Sequence, residues 1–283
     1  MIGQNMYGRI AAVAAALVLA ACGGGGGSGG GDGGADQAAK PVVKPSCYLN
    51  AQNGACVVDG AAVNRSVTVA GDQAKLRALF ARMKAGGHYV IAFKGGSITY
   101  GTGASEITKA WPTLTFNWFT ATFPKSSFEY VNNSVPGNDS GLDLIGWPEF
   151  LAAKRPDIVI LDAAVNDWLF SVAGIERNPG PSYGQLLDDI QAVGAIAVSL
   201  ETMLPKYKQY QGCLTGQDMH TTQQIAHNVM VVSEKDGLCT VTTDGTLAQS
   251  DWSFDGVHPN DFGYQMLASL LTKNFEKVMA TSQ

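Results

Sequence analysis

Residues 88–99 read HYVIAFKGGSIT. His88–Phe93 is a β-rich apolar run of strand length, and Lys94–Ser97 carries glycines that let a chain turn sharply. Upstream, Leu76, Leu79, Phe80 and Met83 mark one face of a helix that Gly86-Gly87 stops. Downstream the alternation repeats. Trp111–Thr120 reads as helix, Phe128–Val131 as strand, Leu142–Lys154 as helix closed by Pro156, and Asp157–Asp162 (DIVILD) as strand. Tyr183–Ala192, Ala195–Leu200, His220–Asn228 and Val229–Val232 carry the pattern to a fifth strand. Phe262, Met266, Leu267, Leu270, Leu271, Phe275 and Val278 form the stripe of a final helix, with Asn260 as its N-cap. Strands separated by helices predict a three-layer α/β/α fold around a five-stranded parallel sheet.

The chain has 283 residues, 46% of them hydrophobic and 15% charged, with a net charge of −5. That balance argues against a nucleic-acid binder, which needs a basic face to neutralise phosphates. The apolar content also argues against disorder and coiled coil. Glycine is in excess, at 34 residues, but ten of them lie within Gly23–Gly34 (GGGGGSGGGDGG). Such a run has no side chains to bury and reads as a flexible tether.

What precedes the tether reads as an address. Arg9 is followed by an apolar stretch, Ile10–Ala21, too short to span a bilayer but suited to a signal peptide. Leu19-Ala20-Ala21-Cys22 resembles the bacterial lipobox, with cleavage before Cys22 and lipidation of its thiol. Residues 1–21 are therefore expected to be a lipoprotein signal peptide and 22–45 the lipidated cysteine and linker. Residues 46–283 form the single folded domain. Gly23, in place of Asp, favours the outer membrane of a two-membrane bacterium. Export to an oxidising compartment makes two disulfides the expectation for Cys47, Cys56, Cys213 and Cys239. Three connectivities are possible, and proximity favours Cys47–Cys56 with Cys213–Cys239. The competing metal site lacks a CxxC pair or Cys/His cluster, so no metal or cofactor is expected.

In open parallel sheets ligands bind at the carboxyl ends of the strands. Gly95-Gly96-Ser97, the stretch around Gly137, and Ala164-Val165-Asn166-Asp167 fall there, and Asp255-Gly256-Val257-His258 precedes the final helix. Together they supply a hydroxyl, an imidazole, a carboxylate and hydrogen-bond donors, the inventory for nucleophilic acyl transfer. Individually, each has a plainer reading. Ser97 suits a helix N-cap, His258 a surface loop, Asp255 a turn, and Pro136-Gly137 an ordinary turn.

Taken in order, Gly95–Thr99, Asn132–Ser140, Ala164–Asp167 and Asp255–Pro259 resemble the four blocks of the SGNH (GDSL) hydrolase family. Gly96 replaces the usual Asp of the first block and Ala164 the Gly of the third, which leaves substrate fit and loop geometry open. The resemblance implies a flavodoxin-like fold and a catalytic Ser97–His258–Asp255 triad. It also implies an oxyanion hole from the Ser97 and Gly137 N–H groups and the Asn166 amide. Asp167 is read as structural, bracing loops. His88, His220 and His227 are read as strand or helix-face residues. Trp168 and Trp252 are candidates for stacking on a sugar ring, and Ser171–Ser182 for a loop at the pocket rim. The expected activity is a cofactor-free serine esterase cleaving an acetyl or other short-chain ester on an envelope or extracellular carbohydrate. The alternatives are a lysophospholipase or thioesterase of the same fold, an acyl transferase, and a non-catalytic polysaccharide-binding surface lipoprotein. The expected partners are the ester substrate and the membrane that holds Cys22.

Overall fold

The apolar run at 88–93 lies within a strand of nine residues, Gly87–Gly95, paired on both sides within a sheet. The computed structural model describes residues 48–49, 56–175, 177–207 and 210–281. The expected signal and linker, with Cys22, and Cys47 lie outside them. In chain order the elements are β1 (Tyr48–Leu49), β2 (Cys56–Val58), α1 (Gly60–Ser66), β3 (Val67–Val69), α2 (Gln73–Ala85) and β4 (Gly87–Gly95). Then come α3 (Ser97–Tyr100), α4 (Trp111–Thr122), β5 (Ser126–Asn132), α5 (Ser140–Asp143), α6 (Trp147–Lys154), β6 (Ile158–Asp162) and α7 (Ala164–Val172). The rest are α8 (Pro179–Ala192), β7 (Ile196–Glu201), β8 (Leu204–Tyr207), β9 (Tyr210–Leu214), α9 (Gln217–Ala226) and β10 (Met230–Ser233). They are followed by α10 (Glu234–Thr243), α11 (Gln249–Trp252) and α12 (Asp261–Ala280).

The central sheet runs β3-β10-β7-β6-β4-β5. All neighbours are parallel except β3, which pairs antiparallel with β10. The sheet thus has six strands rather than five. The added edge strand, Val67-Thr68-Val69, is too short for its alternation to stand out in sequence. The five parallel strands, numbered in chain order, stand 2-1-3-4-5, the flavodoxin-like arrangement. The chain leaves β4 toward one edge of the sheet and returns to β6 on the other side of β4. A crevice therefore opens between the carboxyl ends of β4 and β6. Ser97 follows the first strand and Asn166 the second.

Strand side chains alternate between two cores, which is why there are three layers. Ile91, Phe93, Ile160, Val198 and Val232 face α2, α4 and α12, packing with Leu79, Phe80, Phe119 and Leu271. Ala92, Val159, Leu161 and Ala197 face α6 and α8, packing with Trp147, Leu151, Leu186 and Ile190. Asn260 caps α12 as expected, its side chain accepting from Gly263 N–H at 3.1 Å. Cys213 and Cys239 form a disulfide that joins β9 to α10. Cys56 is also disulfide-bonded.

Two expected boundaries change. The helix expected over 142–154 is two helices, because Gly146 takes φ 71° and starts a new N-terminus with Pro148 in its first turn. The loop expected over 171–182 shrinks to 173–178. Val172 still belongs to α7, and Pro179 opens α8 at the position where its missing N–H costs nothing.

Candidate active site

Ser97 is the first residue of α3, a single helical turn entered directly from β4 through Gly96. The neighbouring Gly95 is required by contact. A Cβ there would lie 2.2 Å from the Asp162 carbonyl oxygen and 2.6 Å from Thr99 Oγ1. His258 reaches Ser97 from the far end of the sequence, with Nε2 at 2.9 Å from Ser97 Oγ. Its Nδ1 lies 2.8 Å from Asp255 Oδ2. The other oxygen, Asp255 Oδ1, accepts from the backbone N–H groups of Val257 at 2.9 Å and His258 at 2.7 Å. Gly256 at φ 86° closes that turn, so aspartate and histidine three residues apart face each other. Burial opposes charge on Asp255, but the His258 side chain and the two N–H donors outweigh it and hold the carboxyl at about 2. The arrangement can take a proton from Ser97 Oγ and stabilise the imidazolium that results.

The opposite side of Ser97 is built from backbone. Beyond Asn132 the chain stays beside β4, with Asn133 N–H donating to Phe93 O and Val135 N–H to Gly95 O, both at 2.9 Å. Asn138 N–H then closes on Val135 O at 3.0 Å, with Pro136 and Gly137 at the corner and Gly137 at φ 85°. This is the backbone of a type II turn, whose third residue favours glycine. Asn166, in the first turn of α7, donates from Nδ2 to the Asn138 carbonyl at 2.5 Å. An amide nitrogen carries two hydrogens, so the second is available to a substrate. Gly96 is where the chain departs from Gly-Asp-Ser, and it has a steric reason. A Cβ at 96 would lie 2.3 Å from Asn166 Nδ2. Ala164, the other departure, is fully buried at the start of α7. Gly96, Ser97, Ile98, Asp162, Ala163, Val165 and Asn166 line a shallow depression of about 200 Å³ including its open mouth.

Beneath this surface lies a set of buried charges. Lys94, 2% exposed, pairs with fully buried Asp143 at 3.0 Å and donates to Asn133 Oδ1 at 3.0 Å. Arg177 reaches the buried Asp139 at 3.2 Å. His220 touches Asp167 Oδ2 at 2.6 Å through Nε2 and Glu201 Oε2 at 3.1 Å through Nδ1. Burial opposes its charge, but Glu201 and the hydrogen bond to Asp167 outweigh burial and raise His220 to about 10. Among the described residues, two further buried carboxyls have no cation beside them. Burial raises Asp162 to about 7 and Glu234 to about 8.

The structure thus brings together Ser97, His258, Asp255, Gly137 and Asn166. Asp167 does brace a loop, accepting from Ser140 N–H at 2.9 Å. His220 is more than a helix-face residue, because it lies fully buried between two carboxylates. Nothing local in the sequence marks it, since its partners come from residues 167 and 201. Trp252 is 1% exposed and packed in the core, which removes it as a stacking surface. Trp168 is partly buried, with its ring edge-on to Tyr210 at 5.2 Å. Among the described residues no group of three or more His, Cys, Asp or Glu side chains is placed to hold a metal ion.

Two expectations follow from this geometry. Gly96→Ala displaces the Asn166 amide, and kcat should fall by about 10²-fold, as for loss of one oxyanion donor, while thermal stability changes little. Unchanged kcat in the folded variant would show that the contact is dispensable. The second concerns stability. Asp162, Glu234 and His220 bind their protons more tightly folded, with values of about 7, 8 and 10 against 3.8, 4.5 and 6.5 unperturbed. In each of those windows the folded state holds more protons, so stability falls as pH rises. Asp255, at about 2 against 3.8, acts oppositely, and its contribution is lost only as pH drops below about 4. Calorimetry should find the highest Tm near about pH 4, where the Asp255 contribution is complete and the losses at Asp162 and Glu234 begin, with a decline toward about pH 10. A Tm that rises from neutral to alkaline pH would contradict the assignment.

No curated protein matches the chain in sequence. Among solved structures, two of a two-domain esterase active on acetylated mannans are similar at TM-scores of 0.69 and 0.71. The second is co-crystallised with mannopentaose. Identity is 24% and 25%, over 78% of this chain and 57% and 58% of theirs, so the chain spans less than two thirds of that esterase's length. An acetylxylan esterase from Geobacillus stearothermophilus is similar at a TM-score of 0.56 and 16% identity, over 71% of this chain and 100% of its own. Variants of its serine, an aspartate, and a histidine three positions after that aspartate are described as catalytic mutants. Residues 93–266, from the end of β4 into α12, match the GDSL-like lipase/acylhydrolase family, and the chain belongs to that family.

Proposed function

We propose that the chain is a serine esterase that removes a short acyl group, acetyl above all, from a carbohydrate. The observation that carries this reading is the unbroken hydrogen-bonded series Asp255–His258–Ser97, with the Asn166 amide and the Gly137 turn across from it. His258 Nε2 takes the Ser97 proton as Oγ bonds to the ester carbonyl carbon. The carbonyl oxygen becomes an oxyanion, met by the Ser97 and Gly137 N–H groups and the second N–H of Asn166. Collapse breaks the carbon–oxygen bond to the alcohol, which leaves with the proton from His258. Water then repeats the sequence on acyl-Ser97, releasing the acid and restoring the hydroxyl. Asp255 stays ionised throughout and holds the imidazole in its tautomer.

Two features support a small acyl group. The depression beside Ser97 is shallow, and Ile98, Ala163 and Val165 give it an apolar lining suited to a methyl group. The carbohydrate is supported by the mannan and xylan esterases that share this fold. A lysophospholipase or thioesterase needs a groove for a long chain, and a non-catalytic binding protein has no use for a complete triad.

The test is hydrolysis of p-nitrophenyl esters of rising chain length by the full chain, beside acetate release from acetylated mannan and xylan. Turnover should peak at acetate, and Ser97→Ala should lower it by at least about 10³-fold. An optimum at medium or long chains transfers the reading to the lipid alternative. Absence of turnover on every ester overturns it.

We also propose, from the sequence of residues 1–45, that Cys22 carries the lipid and that the glycine-rich tether holds the catalytic domain off a bacterial envelope membrane, the outer one where there are two. Cys22→Ser should move the protein from the membrane fraction to the soluble one. Retention in the membrane fraction would refute the anchor.

A further inference from the structure

The segment 133–143, which carries Gly137, is fixed from below by three cations from separate parts of the chain. Lys94 at the end of β4 takes Asp143, Arg177 before α8 takes Asp139, and His220 on α9 takes Asp167. The third connection is indirect and the most deeply buried. Asp167 Oδ2 faces His220, while Oδ1 accepts from Ser140 N–H at 2.9 Å and Ser140 Oγ at 3.1 Å. Ser140 begins α5 three residues after Gly137, and Asp167 directly follows Asn166. A single carboxylate therefore sets the spacing between two of the three oxyanion donors.

His220 is held so that it cannot reorient. One ring nitrogen faces Asp167 and the other Glu201, and the Tyr183 ring stacks on the imidazole at 4.0 Å between centroids and 10° between planes. Glu201 is fixed in turn by Ser199 Oγ at 2.6 Å and by Gln224 Nε2, and Tyr183 OH meets Ser199 Oγ at 2.5 Å. The fold could satisfy a core more cheaply with apolar groups, because paired buried charges seldom add stability over well-packed hydrophobic ones. What this arrangement supplies is direction. A bare Asp167 carboxylate beside Asn166 would oppose an oxyanion, and the adjoining imidazolium, shared with Glu201, offsets part of that charge.

We propose that His220 is a positioning residue for the oxyanion hole, holding Asp167 so that Ser140 and the Gly137 turn keep their register against Asn166. The inference rests on the esterase reading and assigns that site a support outside the triad. It predicts that loss of His220 weakens the binding of a tetrahedral, negatively charged species more than that of the planar ester.

The experiment compares His220→Asn with the wild type in full-length protein, using p-nitrophenyl acetate and a phenylboronic acid as a tetrahedral mimic of the adduct on Ser97. The expected result is a fall in kcat of about 10- to 100-fold, KM within about threefold, and boronate affinity reduced by a factor similar to that in kcat. Ser140→Ala removes one hydroxyl and leaves the N–H bond to Asp167. It should shift kcat and boronate affinity the same way by about threefold or more, and it carries the test if His220→Asn does not fold. A folded His220→Asn with kcat within about twofold of wild type, or with reduced kcat and unchanged boronate affinity, overturns the inference, as does a Ser140→Ala that leaves both unchanged when it is the only folded variant. Wild-type turnover lost on Ser97→Ala, with His220→Asn unaffected, leaves the esterase reading standing and removes only this inference. Absence of wild-type turnover removes both.

Discussion

The Asn166 amide lies between the Asn138 carbonyl and the bare backbone of Gly96, and the site is organised around that approach. Three strand ends meet there: β4 through Gly96, the chain leaving β5 through Asn138, and β6 through the first turn of α7. Each must come within hydrogen-bond distance of the others. That proximity leaves no room for a side chain at 96 while the Asn166 amide holds its place, and it is maintained by a continuation of sheet pairing past Asn132. The 2-1-3-4-5 order makes the meeting possible, because its switch point separates β4 from β6 at their carboxyl ends and leaves room for a substrate.

Such an approach cannot be held by apolar packing alone, because the loop's buried acids, Asp139 and Asp143, must be answered. Arg177 and Lys94 answer them, and His220 answers Asp167 and Glu201. Charge pairs cost desolvation but are directional, and direction is what a hole for a developing charge requires. The account is incomplete at Asp162 and Glu234, where burial without a cation raises both carboxyls. Asp162 ends β6 and Glu234 directly follows β10, so both lie at the carboxyl edge of the sheet, the edge at which ligands bind in such folds. This is where a fold tolerates a local departure from its stability optimum.

How much of this could be read in the sequence follows from how local each signal is. The five parallel strands are apolar runs bounded by glycine, proline or polar residues, and each was legible alone. The edge strand Val67–Val69 was not, since three residues leave no pattern and its pairing is fixed only by β10. The break at Gly146 was masked by a helical pattern that runs through it. Ser97, His258, Asp255, Gly137 and Asn166 were found because they stand in blocks whose order carries information beyond any one motif. His220 stands in no such block. It looked like one polar position on a helix, and its meaning lies in carboxylates 53 and 19 residues away. Trp252 failed in the opposite direction, as proximity to His258 in sequence said nothing about which way the indole faces.

The two sides of Ser97 differ in a way that bears on selectivity. On the oxyanion and acyl side the walls are Ile98, Ala163, Val165 and the first turn of α7, all braced by buried charges and backbone. On the histidine side Asp255 is 39% exposed, His258 15%, and the neighbouring Phe254 58%. In the proposed reaction the alcohol leaves past His258, through the open side, while the acyl group stays against the closed one. A rigid, shallow wall discriminates by size, since enlarging it means moving α7 and with it Asn166. An open side imposes little limit on the alcohol and can accommodate a long polymer. A small acyl group on a large alcohol is therefore the combination this asymmetry fits, and in the proposed reaction the wall that limits the acyl group is the same one that holds the oxyanion donors in place.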